Sequence, residues 1–189
     1  MDSTLIVSSG EKSAAALRET LMRENVPRIA SCGSVGEARR ALATSDYDLV
    51  IVNSPLPDES GIEFAQRLSE KQSGQIMLLV REEIFTETTH NLAEYGIITL
   101  SKPLQRAAFW NALMLCRATH RRFRMLQREN TKLQQKIEDI RVVDRAKLIL
   151  ISHLSMSEPE AHKYIERQAM DRRMTRREIA DGILRTYEN

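Results

Sequence analysis

The sequence predicts an α/β chain in which a five-stranded, doubly wound parallel sheet is followed by one long coiled-coil helix and a small three-helix domain. Three observations carry this. The first half alternates short β-branched runs with amphipathic helical stretches, the order that builds parallel sheets. Residues 104–143 contain no Gly or Pro and are rich in Arg, Leu, Gln, Lys and Glu. Residues 144–189 hold three further helical periods. With 189 residues and 42% hydrophobic content, the chain can bury a core-forming domain plus a smaller attachment, which excludes a disordered tail.

Strands are expected at Thr4–Ser8, Arg28–Cys32, Asp48–Asn53, Gln75–Val80 and Ile97–Leu100, each short and apolar as strands covered on both faces must be. Helix starts between them carry the Ser-x-x-Glu pattern, in which hydroxyl and carboxylate satisfy orphan amides: Ser8/Glu11, Ser34/Glu37 and Ser60/Glu63. The long helix, expected over Leu104–Val143, would extend about 55–60 Å at ~1.5 Å per residue and so needs a partner for its exposed part. Phe123, Leu126, Asn130, Leu133, Ile137 and Ile140 recur at spacings of three and four, as a and d positions of a homodimeric coiled coil. Asn130 at an a position favours a paired asparagine in a parallel, in-register dimer. The alternative is a helix packed within its own chain.

The last segment is expected to fold as Asp144–Leu154, Glu158–Arg172 and Arg176–Tyr187. Capping boxes at Ser157/Glu160 and Thr175/Glu178 mark two starts, and Pro159 is tolerated in a first turn, where its missing amide would be unpaired anyway. The expected core is Ala146, Ile149, Leu150, Leu154 and Ala161, continued by Ile165, Ala169, Ile179, Ala180 and Ile183. The domains are thus expected at 1–116, 117–143 (continuous with the last helix of the first) and 144–189.

Charge is uneven along the chain. Residues 1–116 hold 11 Lys/Arg against 15 Asp/Glu, net −4, whereas 117–189 hold 17 against 11, net +6. The C-terminal third is therefore the basic part, suited to an anionic partner. Two cysteines, Cys32 and Cys116, supply neither a disulfide framework nor a zinc site and suit a reducing cytoplasm. No stretch approaches the ~18 apolar residues of a membrane span, and the N-terminus has no basic-then-apolar leader, so neither membrane insertion nor secretion is expected. His90, His120, His153 and His162 have no Cys or carboxylate grouping of metal-site type, so no metal or cofactor is expected. No Ser/His/Asp set, glycine-rich phosphate loop or paired-acid constellation points to an enzyme.

Over roughly residues 2–116 the chain resembles the receiver domains of two-component response regulators, a flavodoxin-like fold. That family places two acids after its first strand and a phosphoacceptor aspartate at the end of its third, which bind magnesium. A hydroxyl follows strand four and a lysine follows strand five. Here Ser8 and Ser9 stand in the acidic positions, Asn53 in the phosphoacceptor position and Val80 in the hydroxyl position, and Thr99 replaces the aromatic switch. Lys102, followed by Pro103, alone matches. The resemblance thus implies a degenerate phosphorylation site. The chemistry agrees, because magnesium needs carboxylate or phosphate oxygens and an amide cannot replace the nucleophile. Glu11 is read as a capping partner, Asp58 as a turn residue, and Lys102 as a structural group at its Lys-Pro turn or a partner of Asn53.

Ala146-Lys147, Ala161, Tyr164-Ile165, Gln168-Ala169-Met170, Met174 and Ile179-Ala180 resemble, in order and spacing, the ANTAR domain of bacterial transcription antiterminators, with Leu148 where many members have glycine. The resemblance implies binding of paired stem-loops in a nascent leader mRNA, which prevents an overlapping terminator hairpin. With the receiver pocket degenerate, control by something other than phosphorylation at Asn53, such as a regulatory sensor protein, is expected. The residues expected to meet RNA are Arg145, Lys147, Lys163 and Arg167, then Arg172, Arg173, Arg176 and Arg177. Tyr164 is either a base-stacking platform or a core residue beside Ala161 and Ile165. A DNA-binding regulator and a protein-docking dimeric scaffold are the competing readings; the basic Arg121, Arg122, Arg124, Arg128, Lys132 and Lys136 are either a second phosphate track or, the favoured reading, an ordinary charged coiled-coil flank.

Overall fold

The computed structural model describes residues 1–71 and 74–187. The chain divides into two compact units, Met1–Arg124 and Met125–Asn189. In the first, strands β1 (Ser3–Ser8), β2 (Arg28–Cys32), β3 (Leu49–Asn53), β4 (Gln75–Arg81) and β5 (Ile98–Lys102) form one parallel sheet in the order β2-β1-β3-β4-β5. Helices α1 (Glu11–Arg23), α2 (Val35–Thr44), α3 (Gly61–Ser69) and α4 (Glu82–Leu92) lie between consecutive strands, and α5 (Arg106–Leu154) follows the last. The period-two alternation of each strand sends its residues into two cores. Leu5, Val7, Val50, Val52, Leu78 and Val80 pack with α2 and α3, while Ile6, Leu49, Ile51, Met77 and Leu79 pack with α1 and the first turns of α5.

The helix starts divide into two kinds. Ser34 and Ser60 cap α2 and α3, accepting the amides of Glu37 and Glu63. Ser8 does not cap α1: Gly10 is its N-cap and Glu11 its first helical residue. The expected Ser8/Glu11 box fails because Ser8 is still in β1, where its hydroxyl is engaged by Asn53. Asp58 is more than a turn residue. Its carboxylate accepts the amides of Val35 and Gly36 at 3.0 and 2.9 Å and so adds a second cap to α2, from a loop 22–23 residues away. Those amide hydrogen bonds hold its pKa below the ordinary carboxylate range.

In the second unit the end of α5 packs with α6 (Glu158–Arg172) and α7 (Arg176–Tyr187). The expected helix break at Val143/Asp144 is absent: α5 runs unbroken for 49 residues and stops at Ser155, whose φ of 52° leaves the helical region. Nothing between 104 and 154 can break it, since the stretch has no Gly or Pro and Asp144 pairs one turn onward with Lys147 at 2.8 Å. The core is Val142, Ala146, Leu150, Ala161, Ile165, Ala169, Ile179, Ala180 and Leu184. Val142 and Leu184 join the expected set, Ile149 and Ile183 pack against it only partly buried, and Leu154, the last residue of α5, is 45% exposed. Capping boxes form at both Ser157/Glu160 and Thr175/Glu178.

One half-buried pair makes the first unit acid-sensitive. His120 Nε2 lies 3.4 Å from Asp48, whose carboxylate also accepts the amides of Asp2 and Ser3. Burial holds the His120 imidazole below its ordinary pKa despite Asp48. Asp48 is itself low: burial pushes it up, but the two amides and His120 outweigh that. Both shifts favour the fold above the unfolded pKa values and lose that contribution as pH falls, His120 first and Asp48 in more acid solution. The thermal midpoint of the full chain is expected to drop between about pH 7 and 5, with the His120→Gln variant showing a flatter profile.

Candidate functional site

At the carboxyl ends of the strands, the residues in the receiver-type positions do come together. Asn53 Nδ2 donates to Ser8 Oγ at 2.9 Å, tying β3 to β1. The Lys102 ammonium donates to the carbonyl of Ser54, a structural contact, and not to the Asn53 side chain. Burial lowers its pKa, and Arg81 at the end of β4 adds to that. Val80 is fully buried and Ser9 is exposed. A hydroxyl pair, an amide, an alkyl group and an ammonium do not fit a divalent cation, which requires hard anionic oxygens. Among the described residues no His/Cys/Asp/Glu group is arranged to hold a metal.

In the second unit, the nine residues expected to meet RNA separate into two sets. Lys147 is 16% exposed and pairs with Asp144 and Glu158 at 2.8 and 2.9 Å, tying α5 to α6. Arg176 reaches Glu166 at 2.8 Å, joining α7 to α6, and Arg177 reaches Asp139 at 2.6 Å, joining α7 to α5. These three cations neutralise carboxylates within the unit. Arg145 is exposed and engaged within the protein, and Arg167 is 83% exposed with only a loose 3.7 Å contact to Asp171. Lys163, Arg172 and Arg173 are exposed and form no ion pair among the described residues. Tyr164 lies outside the apolar core, with 38% of its surface open.

Arg173 occupies a position that the sequence pattern alone does not disclose. It ends α6 in the left-handed region, φ 54° and ψ 39°, with its amide donating to Met170 and that of Met174 to Ala169. Such a turn normally takes glycine, because a Cβ there costs about 1 kcal/mol. Arg173→Gly is therefore expected to raise the stability of this unit by about 0.5–1 kcal/mol in thermal or denaturant unfolding. If the guanidinium contacts RNA, the same change weakens binding.

Along the middle of α5, the residues at coiled-coil positions are open. Phe123, Leu126, Leu133, Ile137 and Ile140 are 38–65% exposed, and Asn130 is exposed with them. Intramolecular packing, the alternative for this stretch, does not cover them among the described residues.

Comparison with known proteins agrees with both halves. The response regulator receiver domain model matches residues 4–114, and the ANTAR domain model matches residues 131–184. The chain is 29% identical over 172 residues to the transcriptional regulatory protein PdtaR of Mycobacterium tuberculosis, covering 90% of this chain and 83% of that protein. Among solved structures, the CheY-like receiver domain from Methylobacillus flagellatus superposes with a TM-score of 0.51 at 21% identity, over 61% of this chain and 98% of that one. The receiver domain of an HD domain-containing protein from Pseudomonas fluorescens Pf-5 gives 0.56 at 23%, over 65% and 91%. These structural likenesses speak for the fold of the first unit. No helix among the described residues is long and apolar enough to cross a membrane. The chain belongs to the response regulators, as a transcription regulator of the antiterminator type in which a receiver domain is joined to an ANTAR domain.

Proposed function

We propose that this protein is a dimeric RNA-binding antiterminator whose ANTAR unit grips stem-loops in a nascent leader transcript and so prevents a terminator hairpin from forming. The observation that carries the reading is the exposure, within the ANTAR match, of Lys163, Arg172 and Arg173 as cations that no carboxylate among the described residues neutralises. Phosphate contacts require such charges, and Tyr164, with its ring partly open on α6, can stack on an unpaired loop base. The open a/d face of α5 supports pairing of two chains, which would present two ANTAR units to two stem-loops.

Control is proposed to be independent of phosphoryl transfer to the receiver, through a sensor protein or other ligand. With Asn53 and Ser8 bonded to each other, no carboxylate nucleophile or magnesium site stands at the strand ends among the described residues. Acetyl phosphate with magnesium is expected neither to modify the protein, read by intact mass, nor to change its RNA affinity. A phosphorylated residue mapped to 1–116 would overturn this. The function itself is tested by gel retardation: the chain should retard its leader stem-loop pair and leave duplex DNA of the same sequence free. Equal retardation of both would favour the DNA-binding reading.

A further inference from the structure

The first unit contains a half-open groove of about 870 Å³ between α1 and α5, lined at the strand ends by Asn53 and Lys102. Its volume is in the range of small-molecule sites, about 300–1,000 Å³. Leu17, Leu79, Leu104 and Phe109 give it apolar walls, and Trp110 is 49% exposed at its edge. Polar groups are few and unevenly placed. At the far end Arg23 pairs with Glu19 at 2.6 Å and Glu24 lies 3.7 Å from Arg117, so those charges are balanced. At the strand-end mouth Lys102 and Arg106 are cations, and neither forms an ion pair among the described residues.

That imbalance follows from the sequence at the strand ends. Ser8, Ser9 and Asn53 stand where a carboxylate-bearing receiver would surround the lysine with negative charge, so the Lys102 ammonium keeps only the Ser54 carbonyl. Burial and Arg81 destabilise its charge, as expected of a cation lacking a counter-ion. An anion placed at this mouth would supply one, with the apolar walls accepting whatever the anion carries.

We propose that the α1–α5 groove binds a small amphipathic anion, an aryl or alkyl chain ending in a carboxylate or phosphate, with Lys102 and Arg106 at the headgroup and Leu17, Leu79 and Phe109 around the body. The site is independent of the RNA reading and stands whether or not the chain antiterminates.

Trp110 is the single tryptophan of the chain, so its emission reports occupancy directly. Decanoate and 3-phenylpropanoate, neither of which absorbs at the emission wavelengths, are titrated into the full-length protein beside decanol and 3-phenylpropanamide. The expected result is a saturable blue shift with the carboxylates, and binding of the uncharged analogues weaker by at least about tenfold. Arg106→Gln, an exposed change in the first turn of α5, is expected to bring carboxylate affinity down to that of the amide and to leave the amide unchanged. Ala16→Phe, which adds bulk to the groove wall, is expected to abolish both. Hexyl phosphate against hexanoate decides the headgroup. Absence of a saturable shift with every amphiphile up to about 10 mM would overturn the site, as would equal binding of charged and uncharged analogues. Inorganic phosphate binding as tightly as hexyl phosphate would also overturn it, because the walls would then contribute nothing.

Discussion

Replacing Arg172 and Arg173 together by Ala is expected to weaken binding to leader RNA by at least about tenfold near physiological salt, and to do so for cognate and scrambled loops alike. If both side chains meet phosphates, the dependence of log affinity on log salt flattens by roughly 0.7–0.9 for each phosphate no longer neutralised. Loss of discrimination between cognate and scrambled loops would instead assign them to base edges. The control must remove equal charge without breaking an internal pair. Arg39 is unsuitable because it holds Glu59 through two hydrogen bonds of 2.6 and 2.8 Å. Lys12 and Arg40, exposed on α1 and α2, serve instead. A Lys12→Ala/Arg40→Ala protein that loses as much affinity, with both variants folded by circular dichroism, would place the RNA surface in the receiver unit. Arg176 and Arg177 predict a different outcome. They join α7 to its neighbours through Glu166 and Asp139, so their loss should lower the melting temperature of the ANTAR unit as well as binding.

Leu133→Lys/Ile137→Lys is expected to convert the proposed dimer to monomers. Both side chains are more than half exposed in the single chain and occur twice in a pair. At about 1.5–3 kcal/mol for each large apolar side chain buried, removing four of them moves the dissociation constant by roughly a thousandfold or more. Sedimentation velocity on the full chain reads the change, and a wild type that is monomeric at micromolar concentration would remove the coiled coil from the account. Asn130→Leu is expected to act in the opposite sense. It stabilises the helix pair and loosens its restriction to a parallel dimer, visible as higher oligomers.

The parallel sheet was legible because its central strands, buried on both faces, must be apolar at consecutive positions; β2, at the edge, is only half-buried, and all five strands were found within a few residues of their observed ends. The serine caps of α2 and α3 and the full capping boxes of α6 and α7 were legible because donor and acceptor sit three residues apart; the carboxylate arm fails at the first two, where Glu37 takes the Gly33 amide and Glu63 pairs with Arg67. The helix junction at Val143/Asp144 was misplaced because a change of hydrophobic face resembles a boundary when no residue marks one; only packing showed that one helix serves both units.

What lay beyond the sequence depends on partners distant along the chain. Ser8 gives up its expected helix cap because parallel pairing of β1 with β3 brings Asn53, 45 residues on, against its hydroxyl. Asp58 becomes a helix cap through amides 22–23 residues away, and Lys102 reaches the Ser54 carbonyl across 48. Composition marked the ANTAR segment as basic, yet it could not say which cations were already neutralised. Lys147, Arg176 and Arg177 meet carboxylates supplied by other helices or the adjacent turn, while Lys163, Arg172 and Arg173 face solvent. Residue type and spacing therefore determined the elements, the inventory of charges and the missing carboxylates of the receiver pocket. The fold decided which charges are neutralised internally, because an ion pair forms wherever two helices bring opposite charges within reach, whatever their separation in sequence.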